Sequence, residues 1–297
     1  MPSDFADEGS LYSMTGYGEG KAENNGRTID VVIRTFNHDG ISVKVRGLEE
    51  DQSTAHKAEK FIKESFHRGR VEVKVKPEES VGLAPESLDL ESIRKSFEGL
   101  SRLTEELGIP ESPALADLID LDLLETEAPY KGAWSTVKSA LEEAIQETQE
   151  VRRDEGVAIK VDLMNYLEEI AGLLTEAEER VPEVVSNYRE ELKTRVEELL
   201  GGGVELEEGE LEKEIAMFAD KVDVNEEISR ARTHIATARN SLEEGGTVGK
   251  KLKFTFQELQ REINTLGAKS KDGKIQSQVI DMKMALEKCK EQARNLG

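Results

Sequence analysis

Between Leu11 and Lys76 the apolar and polar positions alternate with a period of two, the signature of strands that bury one face. Ile29, Val31 and Ile33 form one such run, Ile41, Val43 and Val45 a second, and Val71, Val73 and Val75 a third. Asn24-Asn25-Gly26 and Asp39-Gly40 are turn signals between runs. From 52 to 67 the period changes, and Ala55, Ala58, Phe61 and Ile62 fall on one side of a helix. The pattern predicts a β-β-β-α-β domain with an antiparallel-type sheet. The second face of that sheet is basic: Arg34, Lys44, Arg46, Arg70, Lys74 and Lys76 share it, opposed by Asp30 and Glu72. Such a face either meets phosphate or simply faces solvent.

Beyond Leu88 the strand signal stops. Helical spacing covers 91–107, 131–181, 183–200 and 210–242, punctuated by Pro110, Pro113, Pro129, Pro182 and the run Gly201-Gly202-Gly203. Gly245-Gly246 closes the last of these, and further helices follow. The fold class is α+β: a sheet-plus-helix domain over 10–160, a helical connector over 161–209 and a helical C-terminal domain over 210–297.

The net charge of −22 argues at first against a polyanionic partner, and its distribution changes that view. Residues 1–80 hold 12 basic and 15 acidic side chains, residues 81–245 hold 17 and 41, and residues 246–297 hold 11 and 6. The acid is concentrated in the middle, so both ends are better placed than the total implies to meet nucleic acid. The single cysteine, Cys289, excludes an intrachain disulfide framework. With no secretory pattern at the start and no apolar run approaching about 18 residues, a cytoplasmic protein without a membrane partner is expected.

The C-terminal segment carries the densest chemistry. Val248, Leu252, Phe256, Leu259, Ile263 and Leu266 make one buried helical stripe. Lys250, Lys251, Phe254, Glu258, Arg261 and Glu262 lie elsewhere on the helix, Glu262 nearest the stripe's edge. Glu258 and Glu262, at i and i+4, could share a divalent cation, with Arg261 beside them to neutralise a phosphate. The competing reading pairs the glutamates with Lys250, Lys251 and Arg261 on a solvated face. Phe254 is suited to stacking or to a subunit contact. Upstream, Asp223 and Glu226 have capping-box spacing, and Glu227, Arg230 and His234 align on one helical face. A P-loop, a dinucleotide fingerprint at Gly16, Gly18 and Gly20, a CxxC pair, an HExxH helix and a nucleophile elbow are all missing or out of context.

Several motifs in order, SMTGYG (13–18), IRTFNH (33–38), RGRVEV (68–73), RRDEG (152–156), KVDVNEEISR (221–230), His234, VGKKLKF (248–254), REINTLGAKS (261–270) and EQARN (291–295), resemble the YicC/YloC family of bacterial endoribonucleases. The resemblance implies metal-dependent cleavage of RNA by a ring-like homo-oligomer, a hexamer, using Mn²⁺ or Mg²⁺. It implies that Glu258, Glu262 and His234 hold the ion and that Glu227 contributes to the site. Arg34, Arg70, Arg230, Lys250, Lys251, Arg261 and Lys269 would contact RNA, and His38 would carry a proton. The chain departs from the family pattern at Asp39 and Gly40, where a basic and then an aromatic residue are usual, and at Lys253 and Gln260. A non-catalytic RNA-binding protein on the same scaffold is the alternative reading.

Overall fold

The computed structural model describes residues 9–24, 27–49, 51–77, 90–109, 114, 133–200 and 208–296. The turn at Asn25-Gly26, the prolines at 110, 113 and 129, and the glycines at 201–203 lie outside these residues. The described residues fall into two units, one from Thr15 to Val151 and the other combining 9–14 with 152–296.

In the first unit, strands β1 (Gly16–Asn24), β2 (Arg27–Phe36), β3 (Ile41–Arg46) and β4 (Gly69–Pro77), with helix α1 (Gln52–Ser65) before β4, reproduce the order read from the alternation. The sheet order is β1-β2-β4-β3. β1, β2 and β4 pair antiparallel, but β3 pairs with β4 in parallel, so the sheet is mixed rather than wholly antiparallel. The reason lies in the connection. The Asp39-Gly40 turn does not make a hairpin of β2 and β3, because β4 returns through α1 and inserts between them, as a parallel crossover requires. Ile29, Val31 and Ile33 oppose Pro77, Val75 and Val73 on the core face, packed with Ala58, Ile62 and Phe66.

Helix α2 (Leu90–Glu106) lies near the expected range, and α3 (Trp134–Leu200) runs unbroken through Pro182. A proline removes one helix hydrogen bond and was expected to end the segment. It is exposed here while Val181 and Val184 pack on a core, so the helix passes through it. The start of α3 covers the sheet: Val137, Ala140, Leu141, Ala144 and Ile145 are buried against it. This contact explains the glycines of β1. A Cβ on Gly20 would stand 2.0 Å from the Ala140 carbonyl oxygen, and one on Gly18 would stand 2.4 Å from that of Ala144. Along the edge of β1, the Glu147 and Glu143 carboxylates accept from the Glu19 and Lys21 amides at 2.6 and 2.8 Å. An edge strand is thereby closed to further pairing.

The second unit is a layer of helices: α3 from Arg152 onward, α4 (Glu208–Val222), α5 (Asn225–Glu244), α6 (Gly249–Lys269) and α7 (Gly273–Ala293). The single helix expected over 210–242 is two. Asp223 and Val224 interrupt it, and the Asp223 carboxylate accepts from the Asn225 amide at 2.9 Å. The capping box is not formed. Val224 occupies the cap position of α5 with no side-chain bond, and Glu226 pairs with Arg230 instead. Gly245 and Gly246 turn the chain with φ of 71° and 75°, a region that favours glycine. The expected stripe Val248, Leu252, Phe256, Leu259, Ile263 and Leu266 is buried throughout, facing Leu163 and Leu167 of α3, Ile235 of α5 and Met282 of α7 within one core.

Candidate active site

Of the predicted site residues, Arg34 on β2, Arg70 on β4 and His38 after β2 belong to the first unit. Glu227, Arg230 and His234 on α5, with Lys250, Lys251, Glu258, Arg261, Glu262 and Lys269 on α6, belong to the second.

Helices α5 and α6 are joined by the four residues from Gly245 to Val248, a length that makes antiparallel neighbours. Two ion pairs set their register. At the turn end Lys251 Nζ lies 3.4 Å from Glu244 Oε2, and at the far end Lys269 Nζ lies 2.8 Å from Glu227 Oε1. Interpolation between these anchors places His234 level with Arg261 and Glu262 along the helix axes. Lys251 and Lys269, both expected to meet phosphate, are therefore paired within the chain, and Glu227 is buried beneath its lysine. Lys250 remains exposed.

The reading in which the α6 cations neutralise Glu258 and Glu262 fails on this geometry. Lys251 is committed to Glu244, and among the described residues neither glutamate has an ion pair or a hydrogen bond to its side chain. Glu262 sits deeper than the edge position its phase implied, at 7% exposure, while Glu258 is half-buried and Arg261 exposed. Glu262 is buried along its stem while its carboxylate oxygens are not enclosed, so the pair presents negative charge that is open to an external cation. His234 is half-buried on the facing helix and, among the described residues, makes no hydrogen bond. No group of three or more His, Cys, Asp or Glu side chains positioned to hold a metal occurs among the described residues. A divalent ion here would rest on carboxylate oxygens and be completed by water or phosphate, a common arrangement for Mg²⁺.

In the first unit His38 is exposed, and its Nδ1 accepts from the Gly40 amide at 3.2 Å. Arg70 pairs with Glu72 on its own strand, and the Arg34 guanidinium lies 5.6 Å from the centre of the Tyr17 ring. Asp39 faces Arg68 at 3.4 Å. Tyr17 and Phe36, exposed on the basic face, were not singled out by the alternation analysis, although both share the parity of the basic residues.

Other motifs prove to be structural. Ser13 donates to the Arg152 carbonyl at 2.9 Å and receives the Arg152 Nε–H at its own carbonyl at 2.6 Å, while Met14 donates to the Asn295 carbonyl at 2.7 Å. A Cβ on Gly156 would stand 2.1 Å from the Leu11 carbonyl oxygen. Pieces of SMTGYG, RRDEG and EQARN thus stitch the N-terminal segment to the helical unit. Burial holds the Arg152 guanidinium below its ordinary range, at about 10.

The chain matches two family models along most of its length. "Endoribonuclease YicC-like, N-terminal region" covers residues 11–161, and "Endoribonuclease YicC-like, C-terminal" covers residues 177–297. It is 30% identical over 295 residues to "Probable endoribonuclease YicC" of Clostridioides difficile (strain 630), covering 96% of this chain and 99% of that protein. The protein of the same description from Haemophilus influenzae (strain ATCC 51907 / DSM 11121 / KW20 / Rd) is 25% identical over 288 residues, covering 96% of this chain and 99% of its own. The chain belongs to the YicC-like endoribonuclease family. No described helix is long and apolar enough to cross a membrane.

Proposed function

We propose that this protein is a metal-dependent endoribonuclease that cleaves RNA within a cytoplasmic homo-oligomeric ring, a hexamer. The observation that carries the reading is the pair Glu258 and Glu262, unpaired among the described residues, one of them buried, beside Arg261 and level with His234. Oxygen ligands of this kind suit Mg²⁺ or Mn²⁺. The donors fit a site held by the Glu258 and Glu262 carboxylates and completed by water and phosphate; His234, expected as a further ligand, forms no three-residue metal group with them among the described residues. Bound there, the ion supplies positive charge against the phosphate as negative charge develops.

The chain's own residues do the rest. Arg261, exposed on the same helix, orients the scissile phosphate by paired N–H donors. Lys250 and Arg230 hold neighbouring phosphates, and Arg34 and Arg70 offer phosphate contacts on the sheet face of their own unit. His234 carries the proton that must move as the phosphodiester breaks, and His38 is the corresponding candidate within the first unit. Glu227 acts through Lys269, as a positioning residue for the end of α6. Exposed Phe254, Ile280 and Met284 supply apolar surface for subunit contacts.

The test is cleavage of labelled single-stranded and hairpin RNA in Mn²⁺ or Mg²⁺, with and without chelator. Cleavage that chelator abolishes, and that falls at least a hundredfold in Glu258→Gln with Glu262→Gln, is the expected result. Full activity in that double variant removes the site assignment. Salt-dependent RNA binding with no cleavage in any metal favours the non-catalytic alternative, which the neutralisation of Arg68 by Asp39 motivates.

A further inference from the structure

The side of the sheet turned away from α1 and α3 carries more than basic charge. Tyr17 of β1 stands opposite Arg34 of β2, and Phe36, two residues further along β2 on the same side, stands opposite Arg70 of β4. Two aromatic rings thus occupy a diagonal pair on this face, at 39% and 42% exposure. Neither contributes to the core cluster of the unit. To one side of them, on β3 and β4, Lys44, Lys74 and Lys76 are exposed and, among the described residues, have no ion-pair partner. Glu19, Asp30 and Glu72 share the face, but Arg34, Lys44, Arg46, Arg70, Lys74 and Lys76 outnumber them, in a chain whose net charge is −22.

We infer that this face is a platform for single-stranded RNA, on which Tyr17 and Phe36 stack unpaired bases while Arg34, Lys44, Lys74 and Lys76 hold phosphates. The inference rests on RNA being the ligand of the proposed function and adds the strand form it takes and the surface that selects it. Three physical points carry it. The Tyr17 ring has the Arg34 guanidinium 5.6 Å from its centre and its hydroxyl on Glu19, yet Tyr17 and Phe36 both keep exposed π-surface, and base stacking is the interaction that such surface takes up. A duplex keeps its bases inside and would present only backbone to the rings, so the aromatic pair discriminates for single strands. The unpaired lysines lie on β3 and β4, at one side of the rings, where a strand with stacked bases would place its phosphates.

The experiment uses the full chain in chelator, so that binding is read without cleavage. Fluorescence anisotropy compares a labelled oligouridylate with an RNA duplex of equal length. Tyr17→Leu with Phe36→Leu weakens oligouridylate binding at least tenfold and leaves duplex binding and thermal midpoint unchanged. Tyr17→Phe with Phe36→Tyr, which keep the rings, binds within about twofold of the unaltered chain. Lys44→Gln, Lys74→Gln and Lys76→Gln together lower the salt slope of log affinity by about 2. Equal oligouridylate binding by the leucine variant overturns the platform and leaves the nuclease reading intact. A change in oligomeric mass in the glutamine variant, with RNA affinity unaltered, makes the face a subunit contact and also overturns it. Absence of RNA binding by the unaltered chain overturns both readings together.

Discussion

Lys269, at the end of α6, reaches Glu227, in the first turn of α5, with Nζ 2.8 Å from Oε1, and the same ammonium donates to the Asp223 carbonyl at 3.0 Å. This one lysine closes the α5–α6 pair at the end away from the turn and satisfies a carboxylate that is otherwise buried.

Removing Lys269 should therefore be read first in stability. Lys269→Met leaves Glu227 buried and unpaired, and we expect a loss of about 2 kcal/mol, less than a fully buried pair because the lysine is partly exposed. Thermal unfolding of Lys269→Met, Glu227→Gln and the double variant gives the coupling between them. A phosphate ligand alone would behave differently, with RNA affinity falling while the unfolding midpoint stays in place.

Glu262 should show the opposite separation. Glu262→Gln removes a carboxylate that lacks a cation or hydrogen bond among the described residues and changes no volume, so the thermal midpoint should hold while cleavage is lost. Calorimetry beside an activity assay on the same preparation checks this. A stability loss equal to that of a core truncation would make Glu262 a structural residue.

Asp39 tests the departure from the family pattern. Its side chain is fully exposed and draws Arg68 into an ion pair. Asp39→Lys releases Arg68 and adds a charge, so RNA affinity at low salt should rise several-fold with a steeper salt dependence. Because the pair is at the surface, the unfolding midpoint should not move measurably. Unchanged affinity in a binding titration would place this turn outside the RNA path.

Asp272 gives a pH dependence. Burial works against its ionisation, but the hydrogen bond and charge of Arg180, with the amides of Ile275 and Lys274, outweigh burial and hold its carboxyl below the ordinary range. A carboxylate depressed in the folded state contributes stability that is fully present above its unfolded pKa of about 4 and is lost as pH falls through the folded value. The thermal midpoint should decline below about pH 4, and Asp272→Asn should flatten that decline while lowering the plateau at neutral pH. An identical acid limb in the variant would assign the effect to other carboxylates.

Period-two alternation over Ile29–Ile33 and Val71–Val75, and the stripe from Val248 to Leu266, by themselves determined which residues form the strands and the C-terminal helix and which side of each is buried. Those properties are local: once a period is set, one face must leave water. Parity likewise placed Arg34, Lys74 and Lys76 together on the outer face. Long-range properties were decided only in the tertiary structure. The insertion of β4 between β2 and β3 depends on α1 crossing back, and Pro182 is tolerated because its neighbours pack. Whether Glu258 and Glu262 were neutralised could not be read from spacing: of the three cations in reach along the helix, Lys251 turned to Glu244 of α5, while Lys250 and Arg261 form no ion pair with either glutamate among the described residues. Side-chain charge is written in the sequence, but its pairing is a contest among every cation within reach, and only the packing of α5 against α6 settles which carboxylates are left open.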